Sequence, residues 1–325
     1  MYCFALTSKI NCMKKWSLVL LLMVHTPLLF GQSAEEYKEM AEKKMELKNY
    51  QYAMELMNKA IALDTKNQWY YLRKADIQFR LSGPTDAIKT VKQAMSLDTK
   101  AAEPYNRAGS YYDSGGFPDT AIMMYNEAIK YAKDDTMKYS YTMNRGVAKG
   151  SMRDFPGAIK DFESVLAFDP NNIGALNNIS PCYRQLGMPH KSIASLKKII
   201  LIDPAFVGTY INLGFIYSEL DSLDQSVAYF NKALELDPNE PVTYNNRGYV
   251  YYKKRDYANA LTDINRSIKM YPTNSYAYRN IALVYIALNK MNEACNALSY
   301  ALSYGFEKRY GTEVSELADK YCEKK

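Results

Sequence analysis

The sequence is poor in histidine: His25 and His190 are the two in 325 residues. So few imidazoles cannot build a multi-histidine zinc or iron site, and they leave little acid–base capacity near neutral pH. Glycine-rich phosphate loops, nucleophile elbows and metal-ligand spacings are also missing. With 15 glycines and 12 prolines the chain carries few turn signals, which disfavours many short strands. Blocks of like charge are absent, because 41 Lys and Arg interleave with 35 Asp and Glu for a net charge of +6. Nucleic-acid binding needs a concentrated basic stripe, so that class is not expected. What is plentiful is tyrosine, with 30 residues, in a chain that is 48% hydrophobic and 23% charged. That is the profile of a soluble folded protein, and it leans against an enzyme.

One long apolar run exists. Residues 1–31 hold Lys9, Lys14 and Lys15 and no acid, and Trp16 to Phe30 is almost wholly apolar, followed by Gly31-Gln32-Ser33-Ala34. A basic flank, about 15 apolar residues and then small residues is the layout of a secretory signal peptide. Met13-Lys14-Lys15 has the form of the start of such a signal, with cleavage near Gly31–Gln32 or Ser33–Ala34. An uncleaved anchor would want roughly 20 apolar residues without His25 and Pro27 inside them. No cysteine closely follows the run, so a lipoprotein anchor is not expected. The expectation is an exported chain with no membrane span after cleavage.

The remainder repeats with a period of 34 residues. A column of small residues reads Ala53, Ala87, Ala121, Ala158, Ser192, Ser226, Ala260 and Ala294. A second reads Tyr37, Tyr71, Tyr105, Thr142, Leu176, Tyr210, Tyr244 and Tyr278. A third, four residues on, reads Ala41, Ala75, Gly109, Gly146, Ser180, Gly214, Gly248 and Ala282. The one irregularity is three extra residues at 136–138, and Pro170, Pro204, Pro238 and Pro272 close the later units. Large, small and large residues at helical spacing let a partner helix approach closely, and the closing proline cannot continue a helix. The spacing predicts helix–turn–helix units that share one continuous core.

This arrangement resembles the tetratricopeptide repeat family, as exported by bacteria. The unit Asn231-Lys232-Ala233-Leu234-Glu235-Leu236-Asp237-Pro238 is similar to the family's second helix. Eight units are expected at 34–67, 68–101, 102–135, 139–172, 173–206, 207–240, 241–274 and 275–308, with a capping segment over 309–325. The resemblance implies an all-α, right-handed solenoid whose first helices line a concave groove. It says little about which partner fills the groove.

In this family the sixth residue of each unit faces that groove. Here it is Asn144, Asn178, Asn212, Asn246 and Asn280 in the last five units, after Glu39, Arg73 and Arg107 in the first three. An asparagine can both donate to and accept from a peptide bond, so the column could grip an extended backbone. The same column could instead bridge neighbouring helices. Arg184, Phe215, Tyr249, Tyr252 and Lys253 share the face and are expected as specificity positions. The family's carboxylate clamp fits at Lys38 but meets Arg73 where it needs Asn, with Glu103 nearby. Pro181 falls inside the first helix of unit five, where it removes a hydrogen bond.

Beyond residue 31 three cysteines remain. Cys182 falls in an apolar column and reads as an inert thiol. Cys295 and Cys322 lie at helix ends that antiparallel packing brings together, so a disulfide is expected, closing the C-terminal helix predicted from Thr312. The expected function is a non-catalytic scaffold, without cofactor or metal, that holds an extended segment of another protein. Two alternatives stand beside it: a self-associating assembly subunit, and the sensor arm of an envelope enzyme complex. His190 sits in a turn, where a solvated histidine is the ordinary finding.

Overall fold

The computed structural model describes residues 32–322; the expected export signal lies outside them. The described residues form 18 helices and fall into two compact units, divided between Gly116 and Phe117.

The first unit holds α1 (Ala34–Glu46), α2 (Tyr50–Leu63), α3 (Gln68–Ser82), α4 (Pro84–Leu97) and α5 (Ala102–Ser114). Three of its helices start on polar caps. Ser33 and Glu36 form a reciprocal capping box, and Asn49 and Asn67 each accept from a first-turn amide. Pro84 occupies the first turn of α4, where no intrahelical donor is needed. Ala41, Ala53, Leu56, Met57 and Ala60 join Tyr70 and Ile77 in one buried cluster.

The second unit begins with α6 (Pro118–Lys130), α7 (Asp135–Ser151), α8 (Phe155–Phe168), α9 (Ile173–Gln185) and α10 (Pro189–Ile202). It continues with α11 (Val207–Glu219), α12 (Leu223–Leu236), α13 (Pro241–Lys253), α14 (Tyr257–Met270), α15 (Ser275–Ala287) and α16 (Met291–Ser303). Two shorter helices close it, α17 (Phe306–Tyr310) and α18 (Glu313–Tyr321). Residues 136–138 are helical: they lengthen the start of α7, which has 17 residues where α9, α11, α13 and α15 have 13. The insertion therefore costs no register downstream.

Both small columns do the work their size allows. Ala158, Ser192, Ser226, Ala260 and Ala294 are wholly buried, and Gly146, Gly214 and Gly248 face them across each hairpin. A Cβ on Gly248 would lie 2.6 Å from Ile264 Cγ1 and 3.2 Å from the Ala260 carbonyl oxygen, so only glycine permits this approach. Four tyrosines of the column tie their hairpin to the preceding turn: Tyr210 donates to the Pro204 carbonyl at 2.8 Å, and Tyr244 to that of Pro238 at 3.2 Å. Tyr71 and Tyr105 repeat the bond to Thr65 and Thr99 in the first unit.

A disulfide joins Cys295 at the start of α16 to Cys322 just after α18, with Cα atoms 5.7 Å apart. Cys182 is buried and free, and burial pushes its thiol up from the ordinary value. The capping segment differs from expectation in one respect. A separate short helix, α17, is set off between Gly305 (φ 77°) and Gly311 (φ 92°), and α18 follows it. Among the described residues no helix is long and apolar enough to cross a membrane.

Candidate functional site

In the second unit, α9, α11, α13 and α15 each present the sixth-position asparagine, and two hollows lie along them. The first, about 120 Å³, is lined by Asn177, Asn178, Pro181, Arg184, Asn212 and Phe215. Here α9 stays helical through Pro181. Proline has no N–H, so the Asn177 carbonyl receives no α-helical hydrogen bond at the edge of this hollow. The second, about 230 Å³, lies between α11, α13 and α15. Phe230 and Val250 form its apolar floor, Phe215, Tyr249 and Tyr276 its walls, and Asn246, Asn280 and Lys253 its polar points.

Six of the predicted positions line these hollows: Asn178, Asn212, Arg184, Phe215, Asn246 and Tyr249. Lys253 is there too but is engaged, its ammonium 3.0 Å from Asp221 and donating at 2.8 Å to the Ser218 carbonyl. Arg184 lies over the Phe215 ring, 4.9 Å from its centroid, and pairs with Glu219 at 2.8 Å. Asn144 is half-buried on α7 and lines neither hollow.

Two expectations need correction. Asn280 is 1% exposed and already bonded at both ends of its amide. Its Oδ1 accepts from Arg279 Nη1 at 2.8 Å, and its Nδ2 donates to Asn245 Oδ1 at 2.9 Å. It therefore braces α15 against α13 and is no free rung. Tyr252 stacks against Tyr249 at 5.9 Å, packs against the C-terminal core and lines neither hollow. Its burial, with Tyr249 beside it, raises its hydroxyl above the usual tyrosine range.

The asparagine column in fact splits in two. Asn212 donates to Asn177 at 3.4 Å in the same relation as Asn280 to Asn245, so those two brace neighbouring helices. Asn178 makes no side-chain hydrogen bond among the described residues, and Asn246 uses only its Oδ1, which accepts from Asn245 at 3.4 Å. Open amides therefore sit on alternate rungs. The readable signal is a pair: Asn177-Asn178 and Asn245-Asn246 are double asparagines, the first residue taking the bracing bond and freeing the second.

The sixth-position residues of the first unit do something else. Arg73 pairs with Glu42 at 3.1 Å and Asp76 at 3.4 Å, and Arg107 pairs with Glu103 at 2.8 Å and with Asp76. Tyr111 donates to Asp76 at 2.6 Å, and its hydroxyl is pushed far up by burial and by that carboxylate. Lys38, the first clamp position, is taken by Glu35 and lies over Trp69. Lys38, Arg73 and Arg107 are thus each engaged by an acid of the same unit, although Arg73 Nε itself is buried without a partner.

Sequence reasoning missed Glu219, Tyr276 and Arg279. Arg279 is 8% exposed, and burial works against its charge, yet the bonds it donates to Glu313 hold its pKa above the ordinary value. It lies 5.3 Å from the Tyr249 ring centroid and 5.6 Å from that of Tyr276, and so fixes both walls of the second hollow.

Comparison with known proteins fits this geometry. Family models described as Tetratricopeptide repeat match residues 173–206, 207–240 and 241–274. The Protein CTR9 homolog of Arabidopsis thaliana is 30% identical over 101 residues, 31% of this chain and 9% of that protein. The Small glutamine-rich tetratricopeptide repeat-containing protein 2 of Mycosarcoma maydis is 30% identical over 97 residues, 30% of this chain and 28% of that protein. The chain thus spans under a third of the length of either relative. A tetratricopeptide repeat protein from Parabacteroides merdae superposes with a TM-score of 0.54 at 18% identity, covering 89% of this chain and 100% of its own. At that identity the likeness concerns the fold.

Proposed function

We propose that this chain, which carries tetratricopeptide repeats over residues 173–274, is a non-catalytic scaffold that holds an extended segment of a partner protein along α9, α11 and α13. Repeats of this family support a protein-interaction scaffold in general. The observation that carries the finer reading is Asn246. Its side-chain N–H groups are unspent, it lies at the edge of an apolar hollow walled by Phe215, Tyr249 and Tyr276, and Asn178 repeats its state two units earlier. An unspent amide can hold a backbone carbonyl or N–H, while the aromatic walls receive a side chain. Adjacent first helices about 10 Å apart match roughly three residues of extended chain, so the two open rungs would engage a segment of about six residues.

Residues 1–31 support export, so the partner is sought in the cell envelope or outside the cell. The Cys295–Cys322 disulfide suits an oxidising compartment.

The test is a paired capture from envelope extract with the native chain and with Asn178→Ala/Asn246→Ala, both checked by circular dichroism. A protein retained by the native bait and lost from the double variant is the expected result. Equal retention would move the interaction to another face, and light scattering on the same samples would reveal a second copy as the partner.

A further inference from the structure

The face that carries Asn246 does not end at the inner hollow. A third hollow, of about 500 Å³, continues past it and is lined by Val242, Tyr271 and Tyr276, by Asn246, and by Arg309 and Tyr310 of the short helix α17. Asn246 and Tyr276 line both hollows, so the two are one cleft. Along α13 the lining residues Val242, Asn246, Tyr249 and Lys253 fall at spacings of four, three and four, which is one helical face from end to end.

Charge is distributed unevenly along this cleft. At the Lys253 end the charges neutralise one another, Lys253 with Asp221 and Arg184 with Glu219. At the α17 end no carboxylate lines the hollow, and among the described residues Arg309 makes no hydrogen bond or ion pair. Its helix is nevertheless fixed. Phe306 is buried and stacks on Tyr276 at 5.7 Å, and Tyr310 meets the same ring edge-on at 5.2 Å. A guanidinium on an anchored helix at the mouth of a cleft, with no internal partner, is complementary to an anion supplied from outside.

We propose that the α17 end of the cleft is a subsite for the side-chain carboxylate of an Asp or Glu in the bound segment, with Arg309 as its partner and Tyr271 and Tyr310 as its walls. The proposal rests on the groove reading above and adds the chemistry of the segment. The carboxylate belongs to a side chain because the outer walls open to solvent, Val242 being 43% and Tyr310 53% exposed, so the backbone can run on past Arg309. The inner hollow, floored by Phe230 and Val250, takes a large apolar residue. Val242 and Tyr249 lie two turns apart, roughly 10 Å, which sets the apolar and acidic residues about three positions apart in an extended chain.

A display selection of random dodecapeptides on the full chain tests this, followed by anisotropy with the enriched sequence as a fluorescent synthetic peptide. Enriched peptides are expected to carry an acid about three residues from a large apolar side chain. Arg309→Gln should weaken the synthetic peptide roughly tenfold, the scale of one charge-assisted hydrogen bond. Replacing the peptide's Glu by Gln should cause the same loss, and the two changes together no more than either alone. Arg309 is exposed, so its variant should unfold in urea like the native chain. Peptides that lack an acid, or that bind Arg309→Gln unchanged while losing affinity for Asn246→Ala, would remove the acidic subsite and leave the groove. Loss on amidation of the peptide's C-terminus would assign the carboxylate to a chain end and overturn the side-chain source. Indifference to both variants, or no enrichment at all, would overturn the subsite and the groove together.

Discussion

Arg279 on α15 reaches the first residue of α18, its Nε donating to Glu313 Oε1 at 3.1 Å and its Nη2 bonding to the same oxygen. Its remaining nitrogen, Nη1, donates to Asn280, which donates to Asn245, which donates in turn to Asn246. A continuous line of hydrogen bonds therefore runs from the C-terminal helix to the open rung of the cleft. Because Arg279 also lies against Tyr249 and Tyr276, α18 helps to set the shape of the cleft that Asn246 lines.

Glu313→Ala should destabilise the second unit by about 1–2 kcal/mol. Removing one partner of a fully buried pair costs roughly 3–5 kcal/mol, but the Glu313 side chain is 46% exposed and water screens what is lost. Arg279→Met, which removes the buried charge and keeps the volume, should cost less if desolvation of Arg279 is the dominant penalty. Urea unfolding of both variants measures the difference; equal costs would mean that the lost contacts, and not the stranded charge, govern the effect.

Reduction of Cys295–Cys322 should loosen α18 first and lower stability by about 3.5 kcal/mol in the chain-entropy model, given a sequence separation of 27. Peptide mapping without reductant should find these two cysteines linked and the Cys182 peptide alkylated only after denaturation, since the Cys182 thiol is buried and held protonated. Rapid modification of Cys182 in the native chain would contradict the packing of α9.

Much of this was legible in the sequence, for a physical reason. Contacts inside a helical repeat recur at a fixed separation, so the demand for a small residue at Gly214 or Gly248 writes itself as a column. The asparagine column was visible for the same reason, but its alternation was not. Which amide is spent depends on the preceding residue, asparagine at 177 and 245, and on Arg279, whose role is set by a helix outside the repeats. Arg309 and Tyr310 were invisible because they lie beyond the last period, on a helix that has no counterpart to be compared with. The glycines at 305 and 311 were the available signal, since both adopt positive φ and isolate a short helix.

The turn inside each hairpin gives a prediction of opposite sign. Gly116 and Gly187 adopt positive φ there, and the equivalent positions Arg153, Asp221, Arg255 and Asn289 do so with a side chain. An L-residue in this region costs about 1–2 kcal/mol, and glycine's extra freedom in the unfolded chain offsets about 0.5–1 kcal/mol of any relief. Arg255→Gly should therefore stabilise by about 0.5–1 kcal/mol and raise Tm by about 2 °C in calorimetry. Gly248→Ala, which drives a Cβ to 2.6 Å from Ile264, should destabilise by about 1–3 kcal/mol in the same assay.

The last prediction concerns a brace that recurs three periods apart. Arg145 clasps Asp161 with both Nε and Nη2, at 2.9 and 2.7 Å, and gives its third nitrogen to Asn126. Arg247 does the same with Asp263, at 2.7 and 2.8 Å, and with Asn231. Both aspartates are buried, so truncating either leaves a largely buried guanidinium without its carboxylate. The two sites differ in one respect: Lys149 also reaches Asp161, at 2.9 Å. Asp161→Ala thus strands two cations where Asp263→Ala strands one. Each should cost about 2–4 kcal/mol, with Asp161→Ala the larger. Adding Lys149→Met to Asp161→Ala should recover part of the loss, because it removes one stranded charge and keeps the apolar stem. Denaturant midpoints for the three variants decide it, and no recovery in the double variant would mean that water reaches Lys149 once the aspartate is gone.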